Sequence, residues 1–171
     1  MRHESFVIAA AAALCVAIAP SSGAAQERSL EGHANYARTT QTHQSSWGAG
    51  AQYGLTFGKQ GAPQLSTSAG VDYSKQENGG SQQFGGSLDA ALQVSLGPSV
   101  SPYAGGSVSI NRLSGGTLSS SVTEPGFQYF VGAQVKLDPQ GPLALRLEVR
   151  PGYVRTQEHS VTTRFGASYS L

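Results

Sequence analysis

Two short stretches hold residue types that could perform nucleophilic chemistry. His43-Gln44-Ser45 sets a histidine two positions from a serine, and Glu158-His159-Ser160 puts an acid, a base and a hydroxyl side by side. A nucleophile, its base and an orienting acid must converge in space, whereas adjacent residues of a strand or loop point apart. Neither stretch is therefore expected to be catalytic. Gly48-Ala49-Gly50 and Gly105-Gly106 lack the following helix and lysine that a phosphate cradle needs. The four histidines are scattered without metal-ligand spacing, so neither a metal nor a cofactor is expected.

The charged residues of the apolar-rich segments are of another kind. Leu143 to Tyr153, LALRLEVRPGY, carries Leu143, Leu145, Leu147, Val149 and Tyr153 at period two, with Arg146, Glu148 and Arg150 between them. This is a strand with one apolar and one charged face. Elsewhere Asp72, Asp89, Lys136 and Arg164 fall on the polar side of alternating segments. The neighbouring polar faces are mostly glycine, serine and glutamine, which suits a narrow lumen with the apolar stripes turned to lipid.

Eight such segments follow one another: Ser29 to Thr40, Trp47 to Gly58, Gln64 to Ser74, Phe84 to Gly97, Pro102 to Arg112, Gly126 to Asp138, Leu143 to Tyr153 and Val161 to Leu171. Each is about long enough to cross a bilayer at a tilt. The first alternates weakly, with Leu30, Ala34 and Tyr36 against Glu31, His33 and Asn35. KQGAP, GPSVS and DPQGP read as tight turns. The connections holding His43, Glu77, Ser119 and Glu158 are more polar and expected to be longer, above all Leu113 to Pro125. Short inner turns, longer outer loops and an even strand count put both termini on the periplasmic side. The fold class is thus all-β, an antiparallel up-and-down transmembrane barrel.

In a ring of eight the third strand faces the seventh and the fourth the eighth. Salt bridges across the lumen are expected from Asp72 and Asp89 to Arg150 and Arg164, extended by Lys136, Arg146 and Glu148, because unpaired buried charges are strongly disfavoured. An eight-stranded barrel is only wide enough for its own side chains, so the lumen should be plugged. Trp47, Tyr73, Phe84, Phe127, Tyr129 and Tyr153 fall near outer strand ends and Phe57 near an inner one, the placement of an aromatic girdle.

Residues Met1 to Ala25 have the layout of a secretory signal: Arg2 and His3, an apolar run from Phe6 to Ala19, then small residues up to Ala25. The run is shorter than the roughly 20 residues of a membrane helix. Cleavage there starts the mature chain at Gln26, making 26–171 a single barrel domain. The only cysteine, Cys15, lies in the signal, so disulfides and thiol chemistry are not expected. A net charge of +1 leaves no footprint for nucleic acid.

Three stretches resemble the small eight-stranded outer-membrane barrels, the porin-family or opacity-like group that includes OmpA-like and OmpX-like proteins. SPYAGGSVS at Ser101 to Ser109 is similar to that group's Pro-Tyr-x-Gly-x-Gly strand start, with Ser107 in place of the second glycine. LALRLEVRPGYVR is similar to its late strand, and RFGASYSL resembles its C-terminal assembly signal, with Leu171 in place of the usual phenylalanine. The resemblance implies export to the outer membrane of a Gram-negative bacterium. It also implies contact with the barrel-assembly machinery, outer-membrane lipid and lipopolysaccharide, and a structural or surface-interaction role in which outer loops meet an extracellular ligand. Alternatives are a narrow porin-like channel, a lipid A-modifying barrel enzyme, whose family's motif lies on a lipid-facing strand, and a soluble lipocalin-like binder. The last needs an apolar interior and a well-charged exterior, and Lys and Glu are scarce on the polar faces here.

Overall fold

A computed structural model describes residues 26–59, 61–77, 80–116, 120–155 and 158–171; the signal-like segment lies outside them. Eight strands follow in chain order: β1 (Gln26–Thr39), β2 (Ser45–Phe57), β3 (Gln64–Gln76), β4 (Gln82–Gln93), β5 (Val100–Ser114), β6 (Val122–Lys136), β7 (Leu143–Arg155) and β8 (Glu158–Ser170). Each pairs antiparallel with the next, and β1 pairs with β8 to close the barrel, through partners such as Leu30 with Tyr169 and Arg38 with Val161. Closure satisfies the backbone without leaving a sheet edge, which is the condition for crossing a bilayer with strands. No helix among the described residues is long and apolar enough to span a membrane.

Burial is inverted relative to a water-soluble protein. Leu92, Tyr129, Val131 and Trp47 are more than half exposed, whereas Arg150 and Glu148 are 1% and 2% exposed. The period-two alternation sends apolar side chains outward and polar ones into the lumen. The interior is therefore polar, not the apolar cavity that a lipocalin-like binder requires.

Three expected boundaries differ from those found. β4 ends at Gln93 rather than near Gly97, although Val94 and Leu96 still donate backbone hydrogen bonds to Pro102 and Val100, at 3.0 and 2.8 Å. β5 and β6 run on through the expected Leu113–Pro125 loop, with Leu113 opposite Val122 and Arg112 opposite Thr123, which leaves 115–121 as the connection. β7 and β8 pair as far as Arg155 opposite Glu158, across a register irregularity after Tyr153, so the expected loop from Arg155 is largely strand. Outer connections at 40–44 and 77–81 are no longer than inner ones at 58–63 and 137–142. Polar composition suggested loops here, but beyond the apolar band a sheet can be polar on both faces, and the wall simply continues upward.

Candidate functional site: a charged lumen layer beneath an outer cup

The middle of the lumen is filled by one connected set of side chains. On β7, Arg150 donates through Nη2 to Asp89 Oδ2 of β4 and through Nε to Glu148 Oε1, both at 2.5 Å. Arg164 of β8 holds both carboxylate oxygens of Asp72 on β3 at 3.1 Å. Its Nη1 lies 3.6 Å from Glu148 and 4.0 Å from Asp89, joining the two halves. The aspartates therefore pair Asp89 with Arg150 and Asp72 with Arg164, so each arginine reaches past the strand directly opposite it. Barrel stagger and the length of an arginine permit this, and a ring diagram hides it.

A second tier lies toward β1. Arg146 donates to Glu31 at 2.5 Å and to the Tyr103 hydroxyl at 3.2 Å, and Tyr103 donates to Glu148 at 3.0 Å. His33 Nε2 sits 2.8 Å from Asp72 Oδ1, which also accepts from Asn35 at 3.1 Å, while Gln52 donates to Glu31 at 2.9 Å. The guanidinium of Arg150 lies over the Phe130 ring and that of Arg146 over Tyr103, each 4.5 Å from the centroid. Such stacking contributes more when water is excluded. Each buried charge here has an opposite charge beside it, the arrangement that offsets desolvation.

Glycine makes room for this layer. A Cβ on Gly132 would lie 2.7 Å from the Tyr103 hydroxyl, one on Gly105 2.7 Å from Phe130 Cζ, and one on Gly50 2.5 Å from His33 Nε2. These β2, β5 and β6 positions read in sequence only as bare lumen wall. Gly132→Ala should therefore destabilise the barrel by about 1–3 kcal/mol, the usual cost of overpacking. Gly32→Ala, where a Cβ meets nothing within 4 Å, should change little; urea titration of both refolded variants measures the contrast.

Of the charges picked out in sequence, Asp72, Asp89, Arg146, Glu148, Arg150 and Arg164 meet in this layer. Lys136 stands apart at the inner end of β6 and makes no ion pair among the described residues. Glu31, His33, Gln52, Tyr103 and Phe130 were not singled out. Each alternates with outward apolar neighbours, Tyr103 beside Ala104 and Phe130 between Tyr129 and Val131, and that period of two is the signal the sequence offers. Trp47, Tyr73, Phe84 and Tyr153 face outward near the outer ends, with Phe57 half-buried at an inner one, whereas Phe127 and Tyr129, expected at an outer end, face outward nearer the middle of β6, because that strand begins at Val122 rather than Gly126. Tyr36 packs on Trp47 at 4.6 Å and Phe127 on Tyr129 at 4.8 Å between centroids.

In neither of the hydroxyl and histidine stretches is the serine hydrogen-bonded to its histidine among the described residues. Ser45 Oγ is hydrogen-bonded to the Tyr36 hydroxyl at 2.9 Å. Ser160 is buried toward the lumen while His159 is exposed outside, against the Tyr153 ring. Above the charged layer the lumen opens as a polar cup of about 110 Å³ with Asp72, Arg150 and Arg164 at its base.

The sequence profile of the outer membrane protein beta-barrel domain family matches residues 6–169. The chain belongs to that family. This outer-membrane barrel accordingly resides in the outer membrane of a Gram-negative bacterium. No curated protein sequence matches it. Among solved structures it is similar to Neisserial surface protein A, at 17% identity and a TM-score of 0.59, covering 88% of this chain and all of that one. The attachment invasion locus protein Ail of Yersinia pestis matches with 14% identity, the same coverage and a TM-score of 0.59. The outer membrane enzyme PagL matches with 12% identity over 82% of this chain and 99% of its own, at a TM-score of 0.58. At these identities the likeness is one of fold, and that fold serves surface proteins and an enzyme alike.

Proposed function

We propose that this outer-membrane barrel is a sealed, non-catalytic wall element that presents its outer rim and cup to the surroundings. The observation that carries the reading is the charged layer: Arg150, Glu148 and Phe130 are each at most 2% exposed, so the lumen is packed at mid-height. Residues 1–25 act as the export signal, and RFGASYSL engages the assembly machinery. The outward aromatics near the strand ends form a girdle at headgroup level, where an apolar ring with a polar tip is favoured. Just beyond them Arg38, Lys75 and Arg112 are exposed at the outer ends of β1, β3 and β5, next to the phosphates of lipopolysaccharide. Opposite charges near a membrane surface contribute about 1 kcal/mol each. A surface-ligand role has a parallel in Ail, which forms a complex with the heparin analogue sucrose octasulfate.

Cysteine labelling in intact cells tests the topology, since the mature chain has no cysteine of its own. A membrane-impermeant maleimide should label Ser120→Cys, in an outer connection, and spare Ala62→Cys, in an inner one, until the cells are permeabilised. The reverse pattern would sink the proposal.

A further inference from the structure

The outer cup is walled by hydroxyls and amides from around the barrel, among them Thr39, Gln76, Gln83, Gln128 and Thr162, and among the described lining residues only Asp72, Arg150 and Arg164 at its base are charged. Simple ions fit it poorly. Both oxygens of Asp72 already accept from Arg164, and Oδ1 from His33 and Asn35 as well. No group of three metal-ligating side chains occurs among the described residues. An added anion would meet a layer in which Glu31, Asp72, Asp89 and Glu148 outnumber Arg146, Arg150 and Arg164.

A ligand whose groups both donate and accept suits these walls better. Gln128 gives its Nε2 to Thr162 at 3.3 Å, leaving its carbonyl oxygen for another donor. At the base Arg150 Nη1 and Arg164 Nε, and nearer the mouth Ser160 Oγ opposite Thr39, are buried without a hydrogen-bond partner among the described residues, on side chains at most 6% exposed. Buried polar atoms are nearly always paired, and leaving one unpaired is costly. A space of about 110 Å³ admits several water-sized groups, room for one hydroxyl-bearing edge of a sugar ring, with the remainder projecting through the open mouth.

We infer that the cup binds a neutral polyhydroxylated group, the terminal sugar of a glycan entering end-on from outside. This rests on the topology proposed above and names the class of ligand for it. Side-chain amide NMR of the purified barrel in micelles, titrated with the methyl glycosides of glucose, galactose and N-acetylglucosamine and with delipidated outer-membrane polysaccharide, is the test. Saturable shifts of the Gln83 and Gln128 amides are expected, as is binding at least fivefold weaker in Gln128→Leu and Ser160→Val. Heat-modifiable gel migration checks that both variants fold. A response to polysaccharide alone identifies the ligand as a glycan end, and a response to the glycosides identifies the free sugar as sufficient. Silence with every probe, or affinities within twofold of the parent in both variants, would overturn the inference. If sugars bind while Ser120→Cys resists external labelling, the topology fails and the sugar site stands.

Discussion

Glu148→Leu should lower the unfolding free energy of the refolded barrel by about 3–5 kcal/mol, the cost of removing one member of a buried ion pair and stranding the other. Glu148 accepts from Arg150 Nε at 2.5 Å and from Tyr103 at 3.0 Å, and lies within 3.7 Å of Arg146 and 3.6 Å of Arg164. Its removal leaves guanidinium charge facing a hydrocarbon side chain in a space water barely reaches. Glu148→Gln keeps the shape and part of the hydrogen bonding, so its loss should be smaller. Urea titration in lipid, followed by the fluorescence of the single tryptophan, Trp47, reads both. A loss below about 1 kcal/mol for Glu148→Leu would mean that the layer is hydrated and its pairs act like surface pairs.

The second large effect is on conductance. The parent barrel should carry no steady single-channel current, because Tyr103, Phe130 and the arginines occupy the lumen where eight strands leave little width. Cutting back Asp89, Glu148 and Arg150 to serine and Phe130 to alanine removes the bulk of that layer. The charges left, Glu31 and Asp72 with Arg146 and Arg164, are balanced and still paired. A steady ion current should appear in this variant in planar bilayers. Current of equal size in the parent would remove the plug from the account and favour a narrow porin-like channel.

The orientation of the strands is legible in the alternation of particular residues. Leu92 beside Gln93, and Leu147 beside Glu148, fix which way β4 and β7 face, because a two-residue period admits only two orientations and one would put Asp89 of β4 and Arg146 and Arg150 of β7 in lipid. The charged layer was partly legible for the same reason: Asp72, Asp89, Arg150 and Arg164 are charges on inward positions. Their pairing was not, since it depends on stagger and side-chain reach. Tyr103 and Phe130 carried no chemical label to set them apart from other aromatics, although parity placed them inside. The boundaries at Leu113 and Arg155 misled because polarity ends the apolar band without ending the sheet.

The plugged lumen and the outward aromatics both require the apolar face of each strand to meet lipid. Spin labels placed one at a time from Ala104 to Ile110 on β5 should alternate in their collisions with oxygen, which concentrates in the bilayer. The labels at Ala104, Val108 and Ile110 should be high, and those at Ser107 and Ser109, which face the lumen, should be low. A reversed alternation, or none, would contradict that orientation.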